Sequence, residues 1–185
     1  RSTLFPYTTL FRSRSKHNVF LSSISQVSET LCILLIPFFL KKFGIKKVML
    51  IAFIAWAFVF FFLGAGSPTG FGLVLLILSM IVYGVAFDFF NISGSLFVDQ
   101  NTNVNIRSSA QGVFMMMTNG LGAPIGSYCA QAVVNRFVFH PAAADPNFDV
   151  MTGWTKAWSV FAAFALVVGI LFAILFKYKH TSEKV

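Results

Sequence analysis

The 185-residue chain is 57% hydrophobic and 11% charged, with a formal net charge of +8 and a mean hydropathy of +0.78. Soluble domains carry about 25% charged residues, so the composition excludes an ordinary soluble enzyme and predicts an all-α, polytopic transmembrane bundle. The basic residues fall mainly between and beyond the apolar runs, which argues for positive-inside topology and against nucleic acid as a partner.

In chain order, residues 1–13 (RSTLFPYTTLFRS) do not match the rest of the chain. They have no helical period, and Thr3–Ser13 resembles the in-frame translation of a sequencing adapter, so this head is set aside from fold reasoning. The domain reading is an artefactual head at 1–13, a partial transmembrane half-domain at 14–176 and a basic cytoplasmic tail at 177–185. The expected first span, about Asn18–Leu40, opens with a polar stripe of Ser22, Ser25, Gln26, Ser28 and Glu29. Lys41–Lys47 (KKFGIKK) is a tight basic loop in which Gly44 supplies the turn.

The second span, about Val48–Leu63, is aromatic and uncharged, and Gly64–Gly70 is a short turn. The third, about Phe71–Val98, is long enough that it must tilt or project beyond the hydrocarbon. A polar loop is expected at Asp99–Ser109 and a fourth span at about Ala110–Val134. That span holds Met115–Met117 and a glycine series with Gly122-x-x-x-Gly126 spacing, which suits close helix packing. A longer loop is expected over Asn135–Lys156, then a fifth span at about Ala157–Phe176. Cys32 and Cys129 read as small buried residues, not as a disulfide or metal pair.

Lys41, Lys42, Lys46, Lys47, Arg107, Lys177, Lys179 and Lys184 collect on one side of this arrangement. Arg136 and Lys156 fall on the other, with Arg14 and Lys16 at the anomalous start. The first side is therefore expected to be cytoplasmic, with the C-terminus. Five spans then place the start of the first span outside, which agrees with a truncated reading frame.

Glu29 and Asp88 are the acidic residues well inside spans. A charge at the bilayer centre costs roughly 2.5–3.5 kcal/mol on insertion scales. Carboxylates at similar depth on two helices can face one cavity and exchange protons near neutral pH. Gln26 and Glu29 share a helix face, as do Gly84, Asp88, Asn91 and Ser95, with Phe87 flanking. Amide, carboxyl and hydroxyl groups beside a ring suit a ligand with hydroxyls and a flat ring, although interhelical hydrogen bonding and core packing would place the same residues. No His-Glu-x-x-His zinc motif and no Gly-rich phosphate loop is present.

These residues carry a resemblance. Ser25–Phe39 (SQVSETLCILLIPFF) with FGIKKVM, Met80–Phe97 (MIVYGVAFDFFNISGSLF), Ser109–Gly120 (SAQGVFMMMTNG) and FKYKH are similar to helices eight, ten, eleven and twelve of bacterial nucleoside permeases. These form the nucleoside:proton symporter branch of the major facilitator superfamily. The resemblance implies the last five helices of a twelve-helix fold in the bacterial inner membrane, whose missing helices supply the opposite cavity wall. It implies nucleosides and protons as partners, the proton as coupling ion and no other cofactor. Gln26, Glu29, Phe87 and Asp88 match positions implicated in nucleoside binding or proton coupling, and Asn91 lies in the same motif. Rival readings are another solute specificity in the same superfamily, or a complete five-span membrane enzyme or assembly factor.

Overall fold

The computed structural model describes residues 15–67 and 70–177, with side chains from residue 23 onward except at 24, 25 and 28. The anomalous head, most of the basic tail and the side chains of Ser22, Ser25 and Ser28 lie outside the described residues.

Helix α1 spans Ser15–Ala65 and is broken at Gly44 (φ 74°, ψ 164°). Glycine populates positive φ without the steric cost of a Cβ. The flanking lysines favour a turn at the water interface over one inside hydrocarbon. Helix α2 spans Phe71–Asn101. Contacts between them fix the directions. The Glu29 backbone lies against Gly84, and the Phe39 and Phe89 rings meet at 5.2 Å, so the first arm of α1 runs with α2. Phe53 meets Phe90 at 5.4 Å and Trp56 meets Tyr83 at 5.5 Å, so the second arm runs against it. The chain therefore reverses at one residue, Gly44.

After a short turn that includes a 3-10 segment at Val104–Ile106, the chain enters a helical rod. It consists of α3 (Arg107–Met115), a π-helical stretch (Met116–Gly122), α4 (Ala123–Val134), a second π stretch (Asn135–Phe139) and α5 (His140–Ala144). Pro124 and Pro141 lie just after the π stretches. Proline has no N–H and its ring clashes with the carbonyl four residues back. A widened turn upstream accommodates that clash.

Helix α6, Val150–Leu175, completes the bundle. It packs antiparallel to the second arm: Trp158 lies beside Gly64 and Phe172 meets Phe53 at 5.3 Å. At its C-terminal end Lys46 Nζ donates to the Ala173 carbonyl at 3.0 Å. Residues 29–65 of α1, together with α2 and α6, are long and apolar enough to cross a membrane. With the reversal in α1 and the return of the rod, the chain makes about five passes. Among the described residues there is no strand.

The core lies between the two arms and α2. Ile36, Leu40, Ile45, Val48, Ala52 and Phe89 form one cluster, and Ala55, Val59 and Ala86 form a second. Inside a bilayer, helices gain little from leaving lipid, so close van der Waals packing and interhelical hydrogen bonds hold such a core together.

Three sequence expectations need correction. Residues 135–156 are not a long loop: helix continues to Ala144 and resumes at Val150. Val138 is buried, Phe139 meets Trp154 edge-on, and Gly153 passes close to the Phe137 carbonyl, so this apolar stretch packs on α6 as helix. The Asp149 side chain caps α6 by accepting from the Met151 and Thr152 N–H groups at 3.0 and 3.2 Å, which fixes the start seven residues earlier than the expected Ala157. The Asp99–Ser109 loop is shorter too, because α2 runs to Asn101 and α3 starts at Arg107, where Arg107 Nε pairs with Asp99 Oδ1 at 3.1 Å. Finally, Cys129 is exposed, while Cys32 is buried as expected.

Candidate functional site

Asp88 sits near the middle of α2 and is 8% exposed. Its Oδ2 is buried without a hydrogen-bond partner. One turn earlier, Gly84 touches the backbone of Glu29 on the first arm of α1. That crossing brings the two carboxylates within electrostatic reach of each other. The two residues expected at similar depth thus lie on helices that pack together, at a crossing one turn from Asp88. Glu29 is partly exposed, so the pair has a buried member and a member open to its surroundings.

Phe87 is 42% exposed and stacks nearly parallel on Tyr83, with ring centroids 5.9 Å apart and an interplanar angle of 11°. Trp56 supports Tyr83 edge-on at 5.5 Å. Stacked and edge-on rings favour one another beyond their buried area, so this trio is a stiff apolar face next to the carboxylates. Tyr83 is also within electrostatic reach of both Glu29 and Asp88. The sequence reading missed it, although its place four residues before Phe87 puts it on the same helix face. Nothing in the sequence pairs Trp56 with it, because that contact comes from the second arm.

The other candidates are less engaged. Gln26 is exposed three residues before Glu29, and its carbonyl accepts from Thr30 Oγ1 at 3.0 Å. Asn91 is half-buried and donates to the Phe87 carbonyl of its own helix at 2.9 Å. Ser95, on the same helical stripe, is committed elsewhere: it donates to Gln111 Oε1 at 3.0 Å, and Gln111 Nε2 donates to the Ser95 carbonyl at 2.7 Å. That exchange ties α3 to α2. Thr118 back-bonds to the Phe114 carbonyl at 2.9 Å. A Cβ added at Gly126 would meet nothing within 4 Å, so the close packing expected of that glycine is not made among the described residues. Among the described residues no three His, Cys, Asp or Glu side chains cluster as metal ligands.

A buried carboxylate with one unpartnered oxygen can take a proton or accept a hydrogen bond from a ligand hydroxyl. A neighbouring flat apolar face can receive a ring. Such groups on a helical membrane bundle suit contact with a polar, ring-bearing solute. The family profile described as nucleoside H+ symporter matches residues 6–181, and the chain belongs to that family. It is 48% identical over 165 residues to the nucleoside permease NupG of Escherichia coli K12, covering 89% of this chain and 37% of that protein. It is also 48% identical over 170 residues to the xanthosine permease of the same organism, covering 92% and 38% respectively. The crystal structure of the nucleoside transporter NupG superposes with a TM-score of 0.76 at 45% identity, covering 96% of this chain and 41% of that one. A mutant of that transporter gives a TM-score of 0.78 at 44% identity, covering 94% and 42%. The chain thus spans well under half the length of these relatives.

Proposed function

We propose that this chain is one wall of a proton-driven nucleoside importer of the bacterial inner membrane that works by alternating access. The observation that carries the reading is the buried, unpartnered Asp88 oxygen next to Glu29, in a chain of the nucleoside H+ symporter family. In the proposed cycle a nucleoside and a proton load from outside, the transporter rocks, and both leave to the cytoplasm. Asp88 and Glu29 take the proton and accept from ribose hydroxyls. Phe87, backed by Tyr83, receives the base, and Gln26 and Asn91 border the site with amide groups. The remaining helices of the full transporter supply the opposite wall.

The proposed orientation places the Gly44 turn and the C-terminus in the cytoplasm. It is supported by Lys41, Lys42, Lys46 and Lys47 around that turn and by the Lys46–Ala173 bond, which brings the end of α6 to the same side.

The test is uptake of labelled uridine by the full-length transporter in proteoliposomes, with and without an imposed proton gradient. Asp88→Asn and Glu29→Gln should each lose gradient-driven accumulation. Whichever variant retains uridine counterflow without a gradient identifies the carboxylate that carries the proton. Undiminished accumulation by both variants would overturn the assignment.

A further inference from the structure

We propose that Gly84 is a positioning residue for the carboxylate pair: having no side chain, it lets the Glu29 backbone lie against α2 one turn from Asp88. The inference deepens the function proposed above and rests on it. A Cβ built at Gly84 would stand 3.2 Å from both Cα and N of Glu29, and 3.4 Å from its Cγ. Two of these three neighbours are helix backbone and cannot rotate aside. Real Cβ contacts are rarely this short, so even an alanine pushes the first arm of α1 away from α2 by a few tenths of an ångström. A leucine forces a larger separation. The residue displaced is Glu29 itself, so the displacement is felt at the site first.

Gly84 is itself buried at this crossing. Protein interiors pack at crystal-like density, and a single added methyl group is felt. Glycine also carries a conformational penalty inside a helix of roughly 0.5–1 kcal/mol relative to alanine. Local helix preference therefore argues against glycine at 84, and the close crossing argues for it.

Among the described residues the charges facing Asp88 are few. Glu29 faces it from the first arm, and Tyr83 is the titratable neighbour on α2 itself. The second arm contributes none, since residues 48–65 contain no charged or titratable side chain. A change of spacing at Gly84 thus acts on a two-carboxylate system with one phenol nearby. The readout that separates positioning from plain stability is the pH dependence of ligand binding.

The experiment uses the purified full-length transporter and uridine as the probe. Gly84→Ala should weaken uridine binding roughly tenfold and Gly84→Leu should weaken it further. Both should move the pH profile of binding, and in a Glu29→Gln background Gly84→Ala should move it no further. Gly64→Ala is the matched control: its Cβ would meet Trp158 Cβ at 3.1 Å, an equally tight contact at the end of the second arm, where Gly66 lies against Leu76 of α2, twelve residues before Asp88. It should lower thermal stability yet leave the pH profile unchanged. Should Gly84→Leu fail to fold, the alanine variant alone decides. A wild-type profile in Gly84→Ala, while Glu29→Gln and Asp88→Asn alter theirs, overturns the positioning role. So does a Gly84→Ala shift that persists undiminished in Glu29→Gln. Wild-type profiles in Glu29→Gln and Asp88→Asn would instead overturn the function on which the inference rests.

Discussion

The two arms of α1 with α2 form one kind of membrane structure, and the rod from 107 to 144 forms another. Both are apolar, yet they use that property differently. In the first block Val48, Ala52 and Ala86 are fully buried and Phe89 is 2% exposed, because small residues allow three helices to interlock. In the rod, α3 and α4 bury no residue, and Tyr128 is 80% exposed. The rod is held at its two ends, by the Ser95–Gln111 exchange at one and by Val138 and Phe139 on α6 at the other. Apolar composition therefore places a helix in the membrane but does not say what it packs against. The carboxylate pair is found in the interlocked block, where two helix backbones come close enough to fix its geometry.

The sharpest way to break this comparison is to truncate one residue in each region. Phe89→Ala removes a ring packed on Phe39 in the core and should cost about 3–5 kcal/mol. Leu121→Ala, exposed in the rod, should change the stability of this chain by less than about 0.5 kcal/mol. Thermal unfolding in detergent checks both, and equal losses would mean that the rod is packed as tightly as the block. A smaller effect tests how the rod is attached. Gln111→Ala removes both bonds to Ser95 and should cost about 1–2 kcal/mol. Hydrogen exchange should show the loss at the start of α3 and not in α2.

The smallest effect is expected at the far end of the rod. Hydrogen bonds from the Thr152 hydroxyl and the Met151 N–H hold the exposed Asp149 carboxyl below its ordinary value. A carboxyl favoured as its anion in the folded state stabilises that state above the unfolded carboxylate range. The contribution is lost as the pH falls through the lowered folded value. The first turn of α6 should thus keep its amide protection at neutral and mildly acidic pH and fray only in stronger acid. Asp149→Ala should abolish that dependence, as measured at the Met151 and Thr152 amides.

Much of the block was legible in the sequence. Four lysines around Gly44 mark a reversal because charge must stay at the interface, and the glycine alone adopts the required backbone. Asp88 and Glu29 stood out because charge is costly at that depth. Their juxtaposition is set by Gly84, and a helical period shows which face a glycine occupies but not what crosses it. Tyr83 could have been found on the Phe87 face, whereas Trp56 comes from a different helix. Ser95 was placed on the Asp88 stripe correctly in register, yet its partner Gln111 lies beyond a turn and redirects it into helix attachment. The stretch from 135 to 144 read as loop because Asn135, Arg136, His140 and Pro141 mask the three apolar residues that pack it on α6.

The central claim is that the Glu29–Asp88 pair couples a proton to a nucleoside. It is tested most directly by adding uridine to lightly buffered, de-energised cells that carry the full-length transporter, and recording the external pH. The account predicts a uridine-dependent rise in external pH that disappears in Asp88→Asn at equal membrane abundance. An undiminished rise in that variant would contradict it.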